Sequence, residues 1–412
     1  PRVSDLVLTP GNAKRLADRL AHLRGAAMKM GQMISMDAGD LLPPELAEIM
    51  ARLRDQAQHM PPGQLKTVLA KEWGKDWRRR FKRFGPTPVA AASIGQVHRA
   101  QTPDGRDLAI KIQYPGVAKS IDSDVDDVVT LLRISGLVPK ELDLAPLLEE
   151  AKKQLHEEAD YEREGAEMER FASLLEGDDR YVVPRRDDEF TTPNVLAMSF
   201  IEGSQIEGIA DEPQDVRNEV MTRLIELVLR ELFEFGHMQT DPNFANYRYQ
   251  ADGGRLVLLD FGATREFAPR FLGSYYDVVA GAFEKDAKRL IDGAIGINLL
   301  RRDSPQHVFD AFARVGMLMI EPFADDPPDE LATADGAYRW GESDLPFRVS
   351  RAVSDAAISR WFRIPPREIV FLHRRMGGVF VLLAVLEAEV DARDMLAEYL
   401  YRETDEAPAE RP

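Results

Sequence analysis

An α+β fold in two lobes follows from three features of the 412-residue sequence. Strand texture is concentrated between residues 84 and 201, helical periodicity dominates after Gly203, and the first ~85 residues carry helical stripes. From the N-terminus, Leu16, Leu20, Leu23, Ala27, Met30 and Ile34 recur at steps of four and three, a single apolar stripe. Gly39 and Asp40 interrupt it, and Pro43-Pro44 opens a second helix marked by Leu46, Ile49, Met50 and Leu53. Strands are expected over 89–100 and 107–113, around a turn at Pro103-Asp104-Gly105. A highly charged helix is expected over 147–175, strands near Val182-Val183 and over 194–201, and a helix over 214–235. Residues 255–260 read as a short buried strand, and helices with an acidic, proline-containing loop at 324–335 follow. The expected domains are a helical extension over 1–85, a strand-rich lobe over 86–202, a helical lobe over 203–402 and a disordered tail over 403–412.

Composition excludes several classes of function. There is no cysteine, which removes disulfides, thiol nucleophiles, Cys-ligated zinc and iron–sulfur clusters. A net charge of −17 argues against a global grip on nucleic acid. No apolar run approaches the roughly 20 residues that span a bilayer. The longest, Gly377 to Leu386, ends against Glu387 and Glu389. Residues 1–25 lack the charged-then-apolar layout of a signal peptide. The expected location is therefore cytoplasmic, with peripheral contact at an inner-membrane surface open. His156-Glu157-Glu158-Ala159-Asp160 starts like a zinc-protease H-E-x-x-H but ends in Asp, and no G-x-S-x-G elbow occurs.

The most specific chemistry lies in Gln239-Thr240-Asp241-Pro242-Asn243-Phe244-Ala245-Asn246, followed by Asp260-Phe261-Gly262. A carboxylate at Asp241 can take or orient a proton. The Asn246 amide and the Asp260 carboxylate are hard oxygen donors suited to Mg²⁺ on ATP phosphates. Either piece alone would be a turn. Their order, downstream of the strands, points to phosphoryl transfer. Lys111, inside the apolar strand Ala109-Ile110-Lys111-Ile112, could meet phosphates, and Glu158, Asp160 and Glu164 are its candidate acidic partners. On one continuous helix Asp160 and Glu164 would share a face, with Glu158 nearly opposite Asp160. Where a kinase carries a glycine-rich loop, this chain has Val89-Ala90-Ala91-Ala92-Ser93-Ile94-Gly95-Gln96-Val97. Alanines resist the positive φ that lets backbone N–H groups curl around phosphate.

These motifs resemble the AarF/UbiB/ADCK family of atypical protein-kinase-like proteins. The resemblance runs from Lys29-Met30-Gly31-Gln32 (K-x-G-Q) through the alanine-rich loop, Lys111, Glu158-Ala159-Asp160 with Glu164, and Asp241 to Asn246, to Asp260-Phe261-Gly262. It implies a bilobal protein-kinase-like fold whose N-terminal extension lies over the place of a peptide substrate, with Lys29 and Gln32 reaching toward the nucleotide and Glu158 and Asp160 anchoring them. It further implies that the loop residues Val89, Ala90, Ala91, Ala92, Ser93, Gln96 and Val97 and the hinge residues Met198, Ser199, Phe200 and Ile201 hold ATP or ADP, with Ser199 and Ile201 backbone groups on the adenine. Lys111 would then pair with Glu164, Asp241 would be the base, and Asn246 and Asp260 would hold Mg²⁺. The activity implied is an atypical kinase or ATPase supporting ubiquinone biosynthesis, partnered by quinone-biosynthesis proteins or lipid-like quinone precursors. Two alternatives stand beside it: a small-molecule phosphotransferase like the aminoglycoside and choline kinases, and a nucleotide-gated binding module without turnover. Independently of the resemblance, the separation of 53 positions from Lys111 to Glu164 requires an insertion over 114–144, where Val125, Val128, Val129 and Leu132 mark a helix. Trp73 to Arg83, with six Lys/Arg, one Asp and three aromatics, is the candidate membrane-facing patch.

Overall fold

A computed structural model describes residues 20, 23, 25–27, 59–135, 145–357 and 365–402. The chain divides into two compact units. The first comprises Pro1–Ser173, Pro184–Ile201 and Asp260–Ala263; the second comprises Leu174–Val183, Glu202–Leu259 and Thr264–Pro412. Most of the expected stripe helices before residue 59, including Lys29 and Gln32, and the tail after residue 402 lie outside the described residues; of the first stripe, Leu20, Leu23 and Ala27 are described, and Leu20 and Ala27 are buried.

The first unit is built on an antiparallel sheet. Its strands run in the order Arg83–Phe84, Gly95–Gln101, Asp107–Gln113 and Val195–Ser199, with Ala90–Ala91 also paired to Gly95–Gln101. The register sets Lys111 between Val97 on one side and Leu196 on the other. The strand expected over 89–100 is interrupted, because the Ala92 N–H turns back to the Gly95 carbonyl (2.9 Å). Gly95 is required there by close approach: an added Cβ would sit 2.3 Å from the Ile112 carbonyl oxygen and 2.9 Å from the Tyr161 hydroxyl. The insertion contains the helix Val117–Ser135, whose Val125, Val128, Val129 and Leu132 are all buried.

Two readings of this unit need correction. The charged helix expected over 147–175 is two helices, Ala145–Glu158 and Tyr161–Leu174, broken at Ala159 and Asp160. Asp160 Oδ1 accepts the Arg163 N–H (2.9 Å), so a side chain that competes with the backbone starts a new helix instead of continuing the old one. The aromatics of Trp73 to Arg83, expected at a membrane interface, point inward. Trp77 and Phe81 are buried with Phe84 and Phe190 in the core beneath the sheet, and the Trp73 indole N–H donates to the Phe190 carbonyl (3.0 Å). Their apolar area is consumed by packing, and only the basic heads of Lys75, Arg78, Arg79, Lys82 and Arg83 are left at the surface.

The second unit is helical around short strands. Helix Gln214–Arg230 buries Val220, Met221, Leu224, Ile225, Leu227 and Val228, and continues into a π-helical turn, Glu231–Phe235. A four-stranded sheet runs Tyr181–Val182, Arg255–Leu258, Tyr247–Gln250, Ser204–Gln205, its first pair parallel. A two-stranded ribbon pairs His237–Gln239 with Thr264–Glu266. Helices Pro269–Phe283, Ala287–Gly296, Gln306–Met319, Leu345–Ala357, Arg367–Val385 and Arg393–Tyr401 follow. No helix among the described residues is long and apolar enough to cross a membrane. The contact at Gly95 yields a direct test. Gly95→Ala is expected to lower the unfolding free energy by about 1–3 kcal/mol in urea denaturation, because the carbonyl it meets belongs to a paired strand and cannot give way.

Candidate active site

Within the first unit, three elements converge on Lys111. The strand Asp107–Gln113 supplies the ammonium, helix Tyr161–Leu174 supplies Glu164, and the Asp260–Ala263 segment supplies Asp260. Lys111 Nζ donates to both Glu164 carboxylate oxygens (2.7 and 2.8 Å) and lies 3.5 Å from Asp260 Oδ2. The Tyr161 ring covers it at 5.2 Å. Burial opposes the charge on Lys111, but the carboxylates of Asp260 and Glu164 outweigh it and hold the ammonium well above the usual lysine range. Burial pushes Glu164 up to about 7 against the pull of Lys111, and Asp260 adds to the rise. Two carboxylates thus share one ammonium.

The Asp260-Phe261-Gly262 segment is fastened to the same helix. Phe261 is buried against Phe171 (ring centroids 5.1 Å apart), Arg163 donates to the Gly262 carbonyl (2.8 Å), and the Gly262 N–H donates to Asp260 Oδ1 (3.0 Å). Glu158, at the end of the preceding helix, accepts from Ser93 Oγ (2.5 Å) and so ties down the alanine-rich loop. Asp160 does not face Lys111 but caps the helix that carries Glu164. Val89, Ala90 and Ala91 are exposed, and Ala92, Ser93 and Val97 are half-buried. Gln96 is fully buried, its amide spent on the Met60 N–H (2.8 Å) and His98 Nε2 (2.7 Å). In the expected hinge, Met198 is buried while Ser199, Phe200 and Ile201 are half-buried. The Ser199 N–H already donates to the Arg185 carbonyl (2.8 Å), and the Phe200 N–H to that of Asp107 (2.8 Å).

The second unit presents Asp241 and Asn246. The ribbon strand His237–Gln239 ends just before them, and Gln239 Oε1 accepts the Asp241 N–H (2.7 Å). Asn243 Oδ1 accepts the Ala245 N–H (3.1 Å), which opens the 3₁₀ turn Phe244–Asn246. The Leu259 N–H donates to the Asn246 carbonyl (3.0 Å) and holds that turn against the end of the next strand. Asn246 Nδ2 donates to Asp241 Oδ2 (2.9 Å), which leaves the amide oxygen on the opposite side. Arg374 Nη2 lies 3.4 Å from Asp241 Oδ1.

The donor chemistry fits a hard cation. No cluster of three or more His, Cys, Asp or Glu side chains able to hold a metal occurs among the described residues. Magnesium on nucleotide phosphates needs only one or two protein oxygens, and keeps waters besides. An Asn amide oxygen and an Asp carboxylate are of that type.

Sequence reasoning missed three contributors: Tyr161, Arg163 and Arg374. Tyr161 stands beside the E-x-D motif and could have been noticed; Arg374 carries no local signal. The pairing of Lys111 with Glu164 has an energetic consequence. Glu164→Ala leaves the buried ammonium with only the longer contact to Asp260 and is expected to lower unfolding free energy by about 3 kcal/mol, whereas the double change Lys111→Met with Glu164→Leu should recover most of it. Urea denaturation of both variants checks this.

A model of the ABC1 atypical kinase-like domain matches residues 52–293. The mitochondrial atypical kinase COQ8B of Rattus norvegicus is 38% identical over 395 residues, covering 96% of this chain and 73% of its own. The mitochondrial atypical kinase COQ8 of Saccharomyces cerevisiae is 35% identical over 398 residues, covering 97% and 78%. Among solved structures, the Rv3197–erythromycin complex from Mycobacterium tuberculosis superposes with a TM-score of 0.62 at 26% identity and covers 97% of both chains. The fold is thus kinase-like, and the chain belongs to the ABC1 atypical kinase family, the AarF/UbiB/ADCK group that its motifs resemble.

Proposed function

We propose that the chain is a Mg²⁺-dependent ATP-binding atypical kinase or ATPase that supports ubiquinone biosynthesis. The observation that carries the nucleotide reading is Lys111, a buried ammonium bound to both oxygens of Glu164 and 3.5 Å from Asp260. Lys111 would contact the α/β-phosphates while Glu164 holds it in place. Asn246 and Asp260 would hold the magnesium, and Asp241 would orient the acceptor and take its proton. The loop from Val89 to Val97 and the hinge from Met198 to Ile201 would enclose ATP or ADP. The Ser199 and Phe200 N–H groups are already engaged, so adenine would be met by other backbone groups there. Gln96 would support the loop from behind. The quinone role rests on the motif resemblance and on the COQ8 relatives. The partners are quinone-biosynthesis proteins or lipid-like precursors, reached by peripheral contact with a membrane. The helical extension of residues 1–85, bearing Lys29 and Gln32, would exclude protein substrates, and residues 86–202 and 203–402 would divide nucleotide binding and catalysis between them. The erythromycin complex of the mycobacterial relative favours one second reading, a small-molecule phosphotransferase.

Two experiments test this. ATP or ADP with Mg²⁺ should raise the melting temperature of the wild type, and Asp260→Asn should abolish the Mg²⁺-dependent part of that rise. A variant still stabilised in a Mg²⁺-dependent way would remove Asp260 from the site. The intact chain should hydrolyse ATP slowly, respond to liposomes and a phenolic quinone-precursor mimic, and leave added proteins unphosphorylated. Lys29→Ala should change turnover or nucleotide preference while stability stays within about 0.5 kcal/mol. A labelled small-molecule product would favour the second reading.

A further inference from the structure

Three residues of one helix in the second unit meet the segment that carries Asp241. Arg374 Nη2 lies 3.4 Å from Asp241 Oδ1, with the arginine side chain 8% exposed and the aspartate 22%. One residue on, Arg375 is fully buried with Glu231, donating from Nε and Nη2 to Glu231 Oε2 (3.2 and 3.0 Å) and from Nη1 to the Tyr247 hydroxyl. Glu231 in turn accepts the Gln239 N–H at 3.4 Å. One turn further, Gly378 packs directly on Pro242. A Cβ there would stand 2.2 Å from the Pro242 Cβ and 3.0 Å from its Cα. The helix Arg367–Val385 therefore touches Asp241 and Pro242 directly and reaches Gln239 through Glu231. It also lies beyond residues 52–293, the part of the chain matched by the family model.

We propose that Arg374 is a positioning residue for Asp241, delivered by a helix whose Gly378 permits the close approach to Pro242. The proposal rests on the reading of Asp241 as the catalytic carboxylate. With Oδ1 held by the guanidinium and Oδ2 by the Asn246 amide, the carboxylate has no free rotation about its terminal bond. Buried Arg375 fixes the helix to the strand before Asp241, so the two adjacent arginines divide the work: one holds the scaffold, the other the reacting group.

The test measures steady-state hydrolysis of Mg²⁺–ATP by the full chain. Arg374→Gln should lower kcat roughly 10- to 100-fold with KM for ATP within about threefold, and Arg374→Lys should recover most of the loss. Combined with Asp241→Asn, Arg374→Gln should add less than about a twofold further loss, because both act through one carboxylate. Unchanged kcat in Arg374→Gln, or a loss that Lys does not rescue and that multiplies with Asp241→Asn, would overturn the proposal. If Asp241→Asn alone keeps full turnover, the catalytic reading of Asp241 fails first. If Asp241→Asn is inactive while Arg374→Gln is not impaired, only the role of Arg374 falls. Should Arg374→Gln not fold, Gly378→Ala decides. A lower kcat at constant KM, with Arg374→Lys near wild type, supports the proposal, and wild-type kcat in Gly378→Ala overturns it.

Discussion

A lysine ammonium flanked by buried isoleucines on a strand has to be neutralised where it stands, and the first unit is organised around that requirement. Lys111 lies between Ile110 and Ile112, both fully buried, with its own side chain 11% exposed. Leaving such a charge unpaired would cost several kcal/mol, more than most single contacts contribute. A carboxylate must therefore reach it from another element, and the break at Ala159-Asp160 makes this possible. It starts a new helix whose first turns bring Tyr161 over the ammonium and Glu164 onto it. The same helix then carries Arg163 and Phe171, which fasten the Asp260-Phe261-Gly262 segment. Neutralising one cation thereby brings Tyr161, Glu164 and the Asp260-Phe261-Gly262 segment together around Lys111.

The second unit meets a different constraint. Asp241 follows a strand of only three residues, His237–Gln239, too short to fix a side chain by its own ladder. Rigidity comes instead from side chains satisfying backbone groups: Gln239 on the Asp241 N–H, Asn243 on that of Ala245, Glu231 on that of Gln239. The buried Glu231–Arg375 pair ties this loop to a helix 144 residues away in sequence. Buried ion pairs often add little net stability, but removing one partner of such a pair leaves an uncompensated buried charge, so Glu231 and Arg375 depend on each other.

The motif-bearing segments were legible because each is a local spacing with a chemical meaning. D-x4-N, A-I-K and Asp-Phe-Gly are read without knowing what packs on what, and so is the insertion, since Val125, Val128, Val129 and Leu132 keep one helical face. Where two local signals compete, the reading fails. Glu158 to Glu164 has helical composition throughout, yet Asp160 offers its carboxylate to a backbone N–H and resets the helix. Basic and aromatic residues from Trp73 to Arg83 have the composition of an interfacial segment. Their rings are instead claimed by Phe190, 117 residues from Trp73.

Fold class and the insertion helix were thus determined by sequence alone, which also singled out Lys111, Asn246 and Asp260 as candidates, because periodicity and short spacings act within a few turns of chain. Tertiary structure decided the rest. It showed that Glu164 meets Lys111 while Glu158 meets Ser93, and that Gln96 faces the core. It also set Arg374 against Asp241 across 133 residues. Each of these depends on the direction of a side chain relative to an element distant in sequence. Charge and size fix which partners a residue can accept, and only the packed chain fixes which partner is near.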